Sequence, residues 1–64
     1  MKNTTLIEAR NKSGLTQVEV AKKARISTIS YQRIEYGTQR PSLDTAILIA
    51  ETVNSTVEKL FKKA

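Results

Sequence analysis

The sequence predicts an all-α fold, five short helices packed into one compact domain, and three observations carry that prediction. Period-two alternation of apolar and polar residues is almost absent, so strands have no support. Helix-starting residues recur along the chain at Thr5, Thr16, Ser27, Ser42 and Ser55 or Thr56. Between them stand three residues suited to ending a helix, Gly14, Gly37 and Asn54. With 64 residues the chain has room for one core, since a domain of this size buries only about 60% of its unfolded surface.

Helix one is expected to begin at Thr5, which fits the S/T-x-x-E capping box with Glu8; in that box two side chains satisfy backbone N–H groups that a helix start leaves free. Gly14 can take the left-handed conformation that closes it. Thr16 with Glu19 repeats the box and opens helix two, "TQVEVAKKA", in which Val20, Ala21 and Ala24 share a face. The chain then breaks at Arg25-Ile26-Ser27 and restarts at once. Ser27 caps helix three, where Tyr31 and Ile34 share a face, while Ile26 plugs the turn and the small Ala21 lets the two helices cross closely. Gly37 ends helix three. In "RPSLD", Pro41 fixes its own φ, Ser42 caps, and Asp44 meets the positive end of the helix dipole. Helix four then runs to about Val53, with Leu43, Ala46, Ile49, Ala50 and Val53 as expected core positions. Asn54 ends it, and Ser55 or Thr56 caps a last helix carrying Val57, Leu60 and Phe61.

Eleven Lys and Arg against six Asp and Glu give a net charge of +5, which in so small a body favours polyanions such as nucleic acid or an anionic membrane face. The excess is concentrated: from Arg10 to Arg40 seven residues are basic and only Glu19 and Glu35 are acidic. A second cluster, Lys59, Lys62 and Lys63, reads as a solubilising tail. The chain has no His and no Cys, which removes the usual bases, thiolates and zinc ligands and leaves its serines without an evident activating partner. Asp44 and Glu51 lie about 10.5 Å apart along a helix, too far to share a proton or a metal. Neither catalysis, metal nor cofactor is expected. No apolar run approaches the roughly 18 residues of a membrane span, and no signal-peptide core opens the chain. The expected location is the cytoplasm.

Turning about 100° per residue from Thr28 groups Tyr31 and Ile34 on one side of helix three. Ile29, Gln32, Arg33 and Tyr36 fall opposite, with Thr28 at the edge and Ser30 nearer the core side. Helix three therefore offers a mostly polar stripe around one isoleucine that the core does not claim.

At these residues the sequence resembles the helix-turn-helix family of phage repressors and Cro proteins, the XRE-like regulators. "GLTQVEVA" is similar to the family's helix-two entry, "IS…IEYG" to its recognition helix, and "PSLDTAILIAETVN…LF" to its fourth and fifth helices, so the resemblance covers nearly the whole chain. Two positions depart from the pattern. Arg25 stands where the turn usually has Gly, at a cost of roughly 1–2 kcal/mol if it is left-handed, and Tyr31 stands at an aliphatic core position.

The resemblance implies a lambda-repressor-like fold whose helix-turn-helix spans about 17–36, with helix three (28–36) in the major groove and helix two across the backbone. It further implies that Thr28, Ile29, Gln32 and Arg33 contact bases and that Gln17, Arg25, Ser27, Tyr36 and Arg40 contact phosphates. Arg10 and Glu35 match charged positions that the family pairs internally. Thr56, Val57, Leu60 and Phe61 resemble the family's dimer contact, with Ile47 and Leu48 as contributors. The implied partners are double-stranded DNA carrying a pseudo-palindromic operator and a second copy of the chain, a homodimer at least on DNA. The expected function is that of a transcriptional repressor of phage or mobile-element type. The rival reading is an antitoxin-like protein-interaction module, because Ile47 and Leu48 are adjacent large aliphatics beyond the expected core and suit a protein partner.

Overall fold

A computed structural model describes residues 1–61, and among them the chain forms α1 (Thr4–Lys12), α2 (Gln17–Lys23), α3 (Thr28–Tyr36), α4 (Leu43–Thr52) and α5 (Val57–Phe61). Lys62 and Lys63 of the basic tail lie outside the described residues.

Local chemistry sets the helix starts. At α2 the box closes in both directions: Glu19 N–H donates to Thr16 Oγ1 at 3.1 Å and Thr16 N–H donates to Glu19 Oε1 at 2.9 Å. Ser27 and Ser42 accept from the N–H groups of Ser30 and Thr45 at 3.1 and 3.2 Å. Thr56, not Ser55, caps α5, accepting from Lys59 N–H at 3.1 Å. Each such cap contributes about 1 kcal/mol. The stops are left-handed, with φ of 73° at Gly14, 82° at Gly37 and 57° at Asn54. Arg25 is left-handed as well, at φ 62°, and so carries the strain that a glycine would avoid.

The start of α1 differs from the expectation. Asn3 rather than Thr5 is its cap, accepting from Leu6 N–H at 3.1 Å, while Asn3 Nδ2 donates to Leu60 O at 2.7 Å. Thr5 lies one residue inside the helix and is exposed. Asn3 wins because one amide can cap α1 and hold α5 together, which a hydroxyl two residues on cannot reach.

Leu6, Val20, Ala21, Ala24, Tyr31, Ile34, Ile49, Ala50, Val53 and Leu60 form the core, each at most 3% exposed. Burying each large aliphatic among them contributes about 1.5–3 kcal/mol. Ile26 packs against this cluster, and its N–H donates to Ala21 O at 3.1 Å, folding α3 back across α2. Leu43 is the exception among the expected core positions: it is 69% exposed, because the first turn of α4 overhangs the core and only from Ala46 onward does the helix bury its apolar face. At the far end of α3 a Cβ on Gly37 would stand 1.9 Å from the Met1 carbonyl oxygen, so glycine is required there for space as well as for φ.

Candidate nucleic-acid interface

On α3 the residues Tyr31, Ile34 and Glu35 are buried, which turns the opposite stripe outward. Ile29 is 61% exposed and Tyr36 55%; Arg33 is exposed, and Thr28 and Gln32 are half-buried at the margins. Arg25 and Ser27 lie exposed in the turn that leads into this stripe, and Arg40 lies exposed in the loop that follows it. Sequence reasoning missed two members of the surrounding surface. Val18 on α2 is 55% exposed, and Lys2 Nζ sits 5.5 Å from the centroid of the Tyr36 ring, a cation–π contact that only the folded N-terminal segment creates.

Behind the stripe a carboxylate gathers three donors. Glu35 is 3% exposed; its Oε2 accepts from Arg10 Nε at 2.6 Å and from the Tyr31 hydroxyl, and its Oε1 accepts from Gln17 Nε2 at 2.9 Å. Arg10 Nη1 also donates to Leu15 O at 3.0 Å, and Asn3 N–H donates to the backbone oxygen of Glu35 at 2.7 Å. Burial alone would raise the Glu35 pKa, but the hydrogen bonds from Arg10, Tyr31 and Gln17, with the guanidinium charge, carry it below the ordinary carboxylate value. The bond to Glu35 raises the pKa of Arg10. Burial first, then donation to the carboxylate, raises that of the Tyr31 hydroxyl. Tyr31 thus fills an aliphatic position with a ring and uses its hydroxyl on a residue one helical turn away. The four-residue spacing of Tyr31 and Glu35 was the available signal for that pair.

Gln17 was expected to hold a phosphate. Its half-buried side chain also bridges two neighbours within the chain: Nε2 donates to Glu35, and Oε1 accepts from Gln32 Nε2 at 3.2 Å. Nothing in the spacing of these residues announced that link.

The face expected to bind a second copy is divided. Leu60 is 3% exposed and belongs to the chain's own core, because α5 is anchored by that residue; Leu48 also packs partly against the core. Thr56 is exposed, Val57 and Phe61 are half-buried, and Ile47 is 40% exposed. Met1, Leu43, Val57 and Phe61 are among the residues lining an open groove of about 1140 Å³, as are Lys2 and Arg40.

Among the described residues no group of His, Cys, Asp or Glu is placed to hold a metal, and no helix is long and apolar enough to cross a membrane. A family model described as helix-turn-helix matches residues 6–60. An uncharacterized HTH-type transcriptional regulator of Archaeoglobus fulgidus is 40% identical over 58 residues, a stretch covering 91% of this chain and 83% of the regulator. Among solved structures, the SinR protein/SinI protein complex matches with a TM-score of 0.84 at 22% identity, over 98% of this chain and 62% of that one. The chain thus spans less than two thirds of that structural neighbour, and the likeness is one of fold.

Proposed function

The chain belongs to the helix-turn-helix family of phage-repressor and Cro type, whose members are DNA-binding transcriptional regulators, and from that membership we propose a sequence-specific repressor of phage or mobile-element type that reads duplex DNA with α3. The observation that supports this most is the outward stripe of α3, with Ile29, Arg33 and Tyr36 exposed while Tyr31, Ile34 and Glu35 hold the helix from behind. A net charge of +5 supplies the attraction to phosphates.

In this reading α3 enters the major groove. Arg33 places two donors on O6 and N7 of a guanine, Ile29 packs on a thymine methyl, and Thr28 and Gln32 reach neighbouring base edges. Arg25, Ser27, Tyr36 and Arg40 rest on phosphates and fix the register. A single recognition helix reads few base pairs, so two copies bind a pseudo-palindrome with half-site centres about 34–36 Å apart. Thr56, Val57, Phe61 and Ile47, joined by the exposed Leu43, supply the contact between copies. Occupancy of the operator is then the repressing act.

Selection of bound duplexes from random sequence tests the proposal and reports half-site spacing together; recovery of no enriched sequence would refute it. Within the selected operator, Arg33→Ala is expected to cost about 1–3 kcal/mol and to relax preference at one G·C pair, and Ile29→Ala to relax preference at a neighbouring A·T pair. Both variants keep the fold, because both side chains face solvent. Loss of thermal stability in Ile29→Ala with unchanged site preference would contradict the assignment.

The exposure of Leu43, which lines the groove, and of Ile47 on the same helix favours a second reading, in which the α4–α5 face takes a different protein. Sedimentation on the selected operator separates the two: two copies per operator support self-association through that face, and one copy leaves it to another protein.

A further inference from the structure

We propose that the open groove walled by the N-terminal segment, the loop after α3 and α5 is a docking site for an acidic amphipathic helix belonging to a partner protein. The proposal deepens the reading in which the α4–α5 face takes a different protein.

An occupant has to meet two features of the lining at once. One is apolar: Met1 and Leu43 are exposed there, and Val57 and Phe61 half-buried. The other is charge of a single sign. Lys2, Arg40 and Lys59 line the groove and are exposed, and no Asp or Glu stands among the described lining residues. Asp44 and Glu58 adjoin Leu43 and Lys59 in sequence, yet neither lines it. Among the described residues none of the three basic groups forms an ion pair, so their charges are open to a ligand.

Elimination then narrows the chemistry. A DNA backbone would satisfy the basic groups and leave the four apolar side chains without a counterpart. A second copy brings its own Lys2, Arg40 and Lys59 and a charge of +5; off DNA, where no phosphate offsets them, groove against groove sets like charges together. A bilayer is flat and meets the rim of a groove, not its floor. A peptide that adds a strand finds no sheet edge, since the described residues form helices only. A helix with apolar anchors at i, i+3, i+4 and i+7 and carboxylates beside them matches both features. About 14 residues give a helix of about 21 Å, enough to run across a molecule whose extents are 28 × 21 × 20 Å. Burial of the anchors supplies the affinity, and the carboxylates choose the partner and speed the encounter.

Fluorescence anisotropy with the full chain and synthetic peptides of about 14 residues tests the proposal. The first peptide carries leucines at helical spacing and glutamates on its other face; the rest replace its glutamates by glutamine, its glutamates by lysine, or its leucines by serine. The glutamate peptide is expected to bind about tenfold or more tighter than the glutamine peptide in about 50 mM salt, with the gap closing as salt is raised. Neither the lysine nor the serine peptide should bind measurably. Leu43→Ser, at an exposed position outside the core, should weaken the glutamate peptide by about tenfold, and Arg40→Ala combined with Lys59→Ala should bring it down to the level of the glutamine peptide. In nuclear magnetic resonance spectra the amides of Lys2, Leu43, Val57 and Lys59 should shift, while those of Ile29 and Arg33 stay in place. Shifts at Ile29 and Arg33 instead would show a polyanion on α3 and overturn the proposal. A glutamine peptide that binds in the groove as tightly as the glutamate one would defeat this inference alone and leave the face to a neutral partner. Binding of no peptide, with Leu43→Ser reducing two copies per operator to one, would defeat it together with the reading it deepens and give the groove to a second copy. Binding to vesicles of phosphatidylglycerol and phosphatidylcholine but to no peptide would overturn it in favour of a membrane.

Discussion

Glu35→Ala is expected to remove about 3–5 kcal/mol of folding free energy, a large share of the total for so short a chain. The substitution strands three buried or half-buried donors at once: the Arg10 guanidinium, whose side chain is 14% exposed, the Tyr31 hydroxyl and the Gln17 amide. Breaking a buried ion pair by removing one partner costs about 3–5 kcal/mol, and a chain of this length has a total stability of roughly 3–10 kcal/mol. Urea titration followed by circular dichroism checks it, and a midpoint near that of the wild type would show that water replaces the carboxylate at little cost. Replacing the group together, as Arg10→Met with Tyr31→Phe and Glu35→Leu, is expected to recover much of the loss, because no charge is then left buried alone. Acid probes the same site in the native sequence. The folded pKa of Glu35 lies below its ordinary value of 4.5, so its contribution is fully present above that pH and is lost as the pH falls through the lower folded value.

Salt carries the second large effect. Neutralising roughly four to six phosphates per subunit predicts a slope of about −4 to −5 for log affinity against log salt. Raising salt from about 50 to 200 mM then weakens binding by roughly 250- to 1,000-fold per subunit. Arg40→Ala should weaken all duplexes alike and reduce the slope by roughly one unit. A flat salt response would remove the electrostatic basis of the interface, and loss restricted to one operator would make Arg40 a base reader.

Much of the fold was legible because its signals are local. Thr16 and Glu19 stand three residues apart and decide the start of α2 between themselves, and Gly14, Gly37 and Asn54 each end a helix through their own φ. The fold of α3 across α2 was equally readable from Ala21, Ile26 and the break at Arg25. The misreadings came where a distant partner decides. Thr5 had a plausible cap signal, but Asn3 prevailed through the carbonyl of Leu60. Leu43 continued the apolar period of α4, yet periodicity cannot tell where a core ends. Leu60 was apolar on a short last helix, and only packing distinguished an inward anchor from an outward contact. On the outward stripe of α3, the exposure of Ile29 and Arg33 followed from the helical wheel alone. The bonds of Gln17 did not, since they join it to Glu35 and Gln32, 18 and 15 positions away.

The bond from Asn3 to Leu60 spans 57 positions, and its consequence is kinetic. Closing so long a ring loses chain entropy that grows with its length, whereas the turn joining α2 to α3 closes over a few residues. During synthesis the turn can form as soon as α3 has emerged, but the anchoring of α1 to α5 waits for residue 60. Assembly is therefore expected to run outward from the α2–α3 turn, with the clasp between the two ends as its last step. Amide exchange would show this order as protection at Ile26 outlasting protection at Asn3; equal protection at both would mean that the ring closes and opens with the whole fold.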